Sequence, residues 1–403
     1  MADHYILSEP HTLKPLPIML SCQKDLFLMP DDHHYLNCSY LSPLLKRVEQ
    51  AGVAGVRGKS RPWETTPDTF FHDSEKVRSL FAEIVNAKKS NQVAIMPAVS
   101  YGMGTVVNNL PKTPGKEIVI AGEQFPSNVY PWEAFAKRTG NTIVRIPAPN
   151  GIERGAAWNE SIMEAVNERT VLVALGSVHW TDGTVFRIRE ISEKVHSFGG
   201  YFVIDGTQSV GAMPLNVQDV KPDALICAGY KWLMGPYGIS LGYFGPRLTG
   251  GIPLEEGWIV RKNSEDFTSL IDYEEDYQPG AKRYDMGQRS NFITLPMMRE
   301  ALMQVKEWGV ENIKAYIQEL TADLIPELQD AGYKIEEDEF RAPHMFGARI
   351  PDGVEMRSVR DSLHHENIHV SVRGSAIRIS PNVYNNASDI EALKGCLLSH
   401  KFA

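Results

Sequence analysis

The feature that most constrains this chain is a recurrence between residues 91 and 244. Seven short apolar runs, at 93–96, 118–121, 142–146, 171–175, 201–204, 224–227 and 239–244, are separated by stretches of helical character. Runs this apolar have no solvent-facing side, so each reads as a strand covered on both faces. The intervening amphipathic segments, such as 158–167 and 188–198, supply the covering helices. The pattern predicts an α/β fold of three layers around a mostly parallel sheet.

After about residue 290 the texture changes. A long amphipathic helix is expected over 295–308 and a second over 310–331, then short strands near 333–335, 346–350 and 368–372, with helical 354–364 before the last and a closing helix from Ala387. This mixture reads as a smaller α+β domain. The first 35 residues, punctuated by Pro10, Pro15, Pro17 and Pro30, read as an arm laid over the surface. The expected division is an arm at 1–35, a large domain at 36–290 and a small C-terminal domain at 291–403.

Charge and cysteine usage narrow the function classes. Lys and Arg number 41 against 50 Asp and Glu, a net charge of −9, so there is no cation excess to neutralise a phosphate backbone, and nucleic acid is excluded as main partner. The four cysteines, Cys22, Cys38, Cys227 and Cys396, form no C-x-x-C pair and are too sparse for a disulfide framework. The amino terminus lacks the positive charge of a signal peptide, its one apolar stretch at 16–20 is Pro-interrupted, and no run approaches the ~20 residues of a membrane span. These readings place the protein in a reducing, cytoplasmic setting, with no membrane partner and no metal site.

One glycine-rich stretch, GVAGVRGKS at 52–60, imitates a phosphate-binding loop. Its spacing fails by one residue, because Val53 stands where that loop needs Gly. The preceding 44–50 is helical in pattern, and Pro62 would disrupt the helix that should follow.

The stretch that carries chemistry is YFVIDGTQSVGAMPLNVQDVKPDALICAGYKWLMGPYGIS at 201–240. One apolar run ends in Asp205; another ends near Ala228 and is followed by Lys231 in a turn bounded by Gly229 and Gly235. Both groups then lie at the carboxyl edge of the sheet, where open α/β folds bind ligands. An amine and an acid so placed suit pyridoxal 5′-phosphate: the amine condenses with the aldehyde as a Schiff base, and the acid keeps the pyridine nitrogen protonated. The bland alternative makes Asp205 a helix cap and Lys231 a solvated turn residue. Ser100, Tyr101 and Gly102, opening a helix after the 93–96 strand, offer backbone N–H groups and a hydroxyl to a phosphate. Gln208 can reach the ring hydroxyl.

With these residues in view, the chain resembles the class V aminotransferase family of fold-type I pyridoxal phosphate enzymes, which includes cysteine desulfurases, kynureninases, isopenicillin-N-epimerase-like proteins and hercynylcysteine sulfoxide lyases. Motif order agrees from YLNCSYLSP near residue 35 to AIRISPNVYN near residue 385. The resemblance makes Lys231 the Schiff-base lysine, Asp205 the partner of the pyridine nitrogen and Gln208 a contact to the ring oxygen. It places Phe125 where desulfurases stack a histidine on the ring, and Tyr230 at a phosphate contact. Ala228 departs from a Ser common in the family, so one phosphate hydroxyl is missing. The loop SVHWTDGT at 177–184 resembles the loop over the ring, which makes His179 a candidate catalytic group and Trp180 a candidate substrate contact. Gln288, in RYDMGQRSN, is implied to cross a homodimer interface towards the neighbouring subunit's phosphate, in a dimer with shared active sites.

In SVRGSAIRIS, strand alternation puts Ala376, Arg378 and Ser380 on one face and Ile377 and Ile379 on the other. By resemblance Arg378 clamps the α-carboxylate of an amino-acid substrate, a planar fork meeting a planar acid; its alternative is a surface ion pair. Asn37 is a second candidate for that carboxylate, or else a cap or turn residue.

Three outcomes at the substrate remain open: transamination, β-elimination with C–S or C–C cleavage, and epimerisation, with aminotransferase or lyase preferred. Persulfide-forming desulfurase activity is disfavoured, because 367–380 holds no cysteine and Cys396 lies beyond the Arg378 strand. Phe125, Trp180, Tyr101 and Tyr237, where they line the pocket, favour an apolar or aromatic side chain; some of them are equally at home in the core. The competing class is a non-catalytic pyridoxal phosphate-binding regulator or scaffold.

Overall fold

All seven apolar runs form strands of one sheet. The computed structural model describes residues 20–151 and 154–400. The N-terminal segment supplies β1 (His34–Tyr35), and the large sheet is built from β2 (Val93–Met96), β3 (Glu117–Ala121), β4 (Thr142–Ile146), β5 (Thr170–Gly176), β6 (Tyr201–Asp205), β7 (Ala224–Ala228) and β8 (Ser240–Phe244). Their order across the sheet is β2-β8-β7-β6-β5-β3-β4. The β7-to-β4 half is parallel, and β8 alone runs against its neighbours β7 and β2. That reversal has a local cause. The segment 229–239 returns directly along the sheet without a crossover helix, which only an antiparallel neighbour allows. Its consequence is functional: Lys231, inside that return, stays at the carboxyl edge where β6 delivers Asp205.

Alternate strand residues feed two cores. Val173, Leu175, Phe202 and Ile204 pack towards the Pro67–Ile84, Arg154–Ala165, Ile188–Ser197 and Thr294–Trp308 helices; Leu172, Ala174 and Val203 pack towards the Val99–Asn109 and Tyr130–Thr139 helices. This is the three-layer arrangement the periodicity predicts. Gly102 lets the Val99–Asn109 helix approach the sheet, since a Cβ there would meet Ile226 Cγ2 at 2.7 Å. The imitation phosphate loop falls in the Lys46–Gly58 helix as far as Gly58, and there Gly52 and Gly55 serve packing: a Cβ on Gly52 would meet Met297 Sδ at 2.8 Å, and one on Gly55 would meet the Phe292 carbonyl at 2.3 Å.

The smaller C-terminal part holds β9 (Phe346–Arg349), β10 (Ile368–His369), β11 (Ser371–Arg373) and β12 (Ala376–Ile379), with β11-β12-β9 antiparallel and β10 paired in parallel to β1. Several sequence expectations change here. The expected 310–331 helix breaks into Val310–Leu320 and Leu324–Asp330, because Pro326 cannot donate to a carbonyl in the turn before it. The expected 368–372 strand divides between two sheets, and 333–335 contributes only a Lys334–Arg349 bridge. The expected arm also changes character. Its first 19 residues, with Pro10, Pro15 and Pro17, lie outside the described residues, but residues 20–41 are woven into the C-terminal part. Phe27 packs against Trp308 and Tyr384, β1 joins β10, and Asn37 bridges to Ser380. Buried Phe27 and Leu36 anchor the segment, while Leu26, Leu28, Tyr40 and Leu41 remain exposed on it.

Candidate active site

At the carboxyl edge of the parallel strands, a cavity of about 260 Å³ opens between the Val99–Asn109 helix, the loop after β5, the end of β6 and the β7–β8 return. Lys231 and Asp205 both line it. The lysine turn is closed by the Gly235 N–H donating to the Gly229 carbonyl at 2.8 Å, and both glycines are required by the Met298 side chain beneath, which a Cβ would strike at 2.9 and 2.3 Å. This holds the lysine stem against the cavity wall, 9% exposed, with its amine 6.0 Å from the Phe125 ring centroid and 5.7 Å from that of Tyr230. Burial, reinforced by the positive charge of Arg378, lowers its pKa to about 8. Asp205 is shifted the other way. Burial raises its pKa, against the opposing Thr207 N–H, which donates to Oδ1 at 3.0 Å. A buried acid that resists ionisation in isolation is a natural partner for a cation brought beside it. The Thr207 contact is also the capping turn of the bland reading, so Asp205 both shapes its turn and faces the cavity.

Other expected residues are distributed unevenly around this centre. Of Ser100, Tyr101 and Gly102, only Ser100 lines the cavity, in the first turn of its helix. Gly102 faces the sheet, and the Tyr101 hydroxyl is buried without a partner. Phe125, Gln208, Tyr230 and Trp180 all line the cavity. The Gln208 amide is partly committed elsewhere: Nε2 donates to the Ser39 carbonyl at 3.0 Å, and Oε1 accepts from Trp232 at 2.9 Å. That leaves one N–H for a ligand.

His179 is placed outside the cavity. Gly176, Val178 and Trp180 line it, whereas His179, of opposite parity, turns inward, fully buried, with its ring 4.8 Å from that of Trp158 and Nδ1 bonded to Thr181 Oγ1 at 2.8 Å. It helps to hold Asp182, which, despite the cost of burial, sits well below the usual carboxylate range beside His179 and Arg154. His179 therefore stands behind the loop, away from the cavity. Gln288 is also remote. It is exposed and lines a separate apolar groove with Phe70, Trp258 and Phe292.

Arg378 and Asn37 stand one layer behind the wall. Arg378 is 1% exposed; Nη1 donates to the Trp180 carbonyl at 2.6 Å and Nη2 to Ser371 Oγ at 3.3 Å, while Nε is buried without a partner. The Ser371 hydroxyl donates in turn to Asn37 Oδ1 at 2.8 Å, so the two carboxylate candidates are joined through a serine that the sequence reading missed. Among the described residues no carboxylate pairs with Arg378, and burial together with the neighbouring Arg373 lowers its pKa to about 9. Gln124, also missed, lines the cavity with a buried amide nitrogen that has no partner.

The residues present fit pyridoxal phosphate. A nearly buried amine and an opposing acid share one cavity, a helix amino terminus with Ser100 offers donors at its end, an aromatic ring flanks it, and the unpartnered Gln124 amide points to a polar occupant. Comparison with known proteins agrees. Residues 59–393 match the family described as "Aminotransferase class-V". Over 327 residues the chain is 26% identical to an uncharacterized aminotransferase of Schizosaccharomyces pombe, covering 79% of this chain and 80% of that protein. The fold is that of the apo cysteine desulfurase from Thermococcus onnurineus, with TM-score 0.80 and 19% identity over 95% of this chain and 99% of that one. It is equally that of a cystine C–S lyase solved with its product cysteine persulfide, at TM-score 0.81 and 19% identity over 92% and 98% of the two chains. The chain belongs to the class V aminotransferase family, whose enzymes work with pyridoxal 5′-phosphate.

Proposed function

We propose that the protein is an aminotransferase or a β-eliminating lyase acting on an α-amino acid, with Lys231 as its central residue. The observation that carries this reading is the shared cavity of Lys231 and Asp205. The bound cofactor supplies an electron-withdrawing ring that weakens bonds at the substrate's α-carbon. Asp205 sits at the end of β6 to hold the ring nitrogen protonated, and Lys231 anchors the cofactor. Once freed, the Lys231 amine is the group that takes the proton from the α-carbon, and burial keeps a useful fraction of it neutral near pH 8. Arg378 clamps the α-carboxylate; Ser100, Tyr230 and the remaining Gln208 N–H contact the cofactor; Phe125 and Trp180 exclude water from the reacting side. The S. pombe relative's description supports transamination and the C–S lyase neighbour supports elimination. Desulfurase activity remains disfavoured, since the β10–β12 region that carries Arg378 has no cysteine. The exposed apolar groove around Gln288, with Phe292 and Trp258, supports a homodimer. No helix among the described residues is long and apolar enough to cross a membrane.

Lys231→Ala should abolish the borohydride-reducible attachment of the cofactor while the protein still folds; a reduced adduct found by peptide mass in that variant overturns the assignment. In the wild-type protein, keto acid released with ammonia marks a lyase, and keto acid formed only with an added acceptor keto acid marks a transaminase.

A further inference from the structure

We propose that Arg373 is a specificity-determining residue that binds a second anionic group on the substrate, so that the preferred amino acid carries a carboxylate on its side chain as well as at its α-carbon. This rests on the reading of Arg378 as the α-carboxylate clamp.

In the β11–β12 pair Ser371 lies opposite Arg378 and Arg373 opposite Ala376. Cross-strand partners share a face and alternate residues return to it, so Ser371, Arg373, Ala376 and Arg378 project together, away from Ile377 and Ile379 in the core. Arg373 and Arg378 are thus diagonal neighbours on one face, with Cβ atoms roughly 7–8 Å apart in such a pair. Two long guanidinium stems at that spacing can grip the two ends of one small dianion.

Both arginines converge on Trp180. The Arg378 guanidinium donates to its backbone carbonyl, and that of Arg373 lies 5.5 Å from its ring centroid. Trp180 is itself fixed, with its indole N–H donating to the Glu123 carbonyl at 2.7 Å and its ring edge-on to Phe125 at 5.4 Å. A guanidinium lying over an indole uses its face in the contact and keeps its N–H edge for an acceptor. On Arg373 that edge is barely used. Nη1 donates to the adjacent Val372 carbonyl, Nε is buried without a partner, and no carboxylate pairs with the side chain among the described residues. A hairpin tip with Gly374 at φ +59° fixes the strand end that carries it. Two cations held near one another repel: burial is the main cause of the lowered proton affinity of Arg378, and the charge of Arg373 adds to it. An arriving dianion relieves that repulsion, whereas a monoanion relieves half of it. The planar fork favours a planar carboxylate over a tetrahedral sulfonate.

The test uses the holoenzyme and calorimetric titration with propanoate, succinate, glutarate and 3-sulfopropanoate. Succinate or glutarate should bind at least tenfold more tightly than propanoate, with 3-sulfopropanoate between them. In Arg373→Gln that preference should vanish while propanoate affinity holds; in Arg378→Lys affinity for every acid should fall. Equal affinity for mono- and dicarboxylates, or a preference that persists in Arg373→Gln, overturns the role of Arg373. If propanoate affinity is also indifferent to Arg378→Lys, the clamp itself is lost, and the two failures are told apart.

Discussion

The molecule holds two arginine pairs, one wholly buried and one with a half-buried member, Arg373, and their charges are met in opposite ways. Under the sheet, Arg78 and Arg289 close on one acid: Arg78 donates to both Asp285 oxygens at 3.1 and 2.8 Å, Arg289 Nη1 lies 3.2 Å from Oδ2, and the Ile95 N–H adds a bond to Oδ1 at 2.8 Å. All three side chains have no exposure. At the substrate side, Arg378 is just as buried, yet it and Arg373 have no carboxylate among the described residues. The first site holds its counterion within the fold and ties the 280–289 segment to β2, although Arg289 Nε and Nη2 are buried without hydrogen-bond partners. In the proposed reading, the second gains its counterion only when an anionic substrate enters. Burial alone therefore does not mark a functional arginine; burial without a counterion makes Arg378 the candidate.

Breaking the complete pair should have the largest effect. Asp285→Ala leaves buried Arg289 without its paired carboxylate and Arg78 with only Glu75 at 3.5 Å, and should cost about 3–5 kcal/mol of stability, read from the urea midpoint. Arg378→Met, which removes a cation that has no counterion, should leave that midpoint near wild type or raise it. Equal losses in the two variants would erase the distinction.

Lys231 sharpens the comparison, because it is a third cation on the incomplete side. In the cofactor-free protein its pKa is lowered to about 8 from 10.5, burial being the main cause. Between those values the unfolded chain holds the proton more tightly, so below pH 8 the folded state bears the full penalty, and raising the pH towards 10.5 relieves it. At 1.36 kcal/mol per unit this is at most about 3 kcal/mol. Lys231→Met should thus be more stable than wild type at pH 7, and the gap should close above pH 10. A gap that does not depend on pH would assign the difference to packing.

How much of this was legible in the sequence follows from the same physics. Most of the seven strands were readable because both of their faces are apolar, the edge strand β4 with exposed Thr142 and Arg145 being the exception, and Asp205 and Lys231 because they lie at or just beyond the ends of such runs. His179 was misplaced although a signal was present: Gly176, Val178 and Trp180 share one parity, and His179 has the other. The helix break before Pro326 had a visible cause that the continuous apolar pattern hid. Arg373 and Ser371 could not be found from composition or motif, because their meaning lies in the β11–β12 register, which only the folded hairpin sets. The weave of residues 20–41 into the C-terminal part is likewise a matter of long-range pairing that proline punctuation does not reveal.

The smallest expected effect tests that register. Ser371 Oγ accepts from Arg378 Nη2 and donates to Asn37, so it aims the guanidinium without facing the cavity. Ser371→Ala removes one bond to a charged group and frees the fork to rotate; such bonds contribute about 1.5–3 kcal/mol at most, and the long 3.3 Å contact argues for the low end, about tenfold in affinity. The loss should appear in KM for the amino acid and in propanoate binding, with kcat and cofactor attachment unchanged, because the serine touches neither. Ser371→Thr keeps the hydroxyl and should restore most of the affinity. If Ser371→Ala lowered kcat and left KM alone, the residue would belong to the reacting side of the cavity, and the picture of a clamp set one layer behind Trp180 would have to be redrawn.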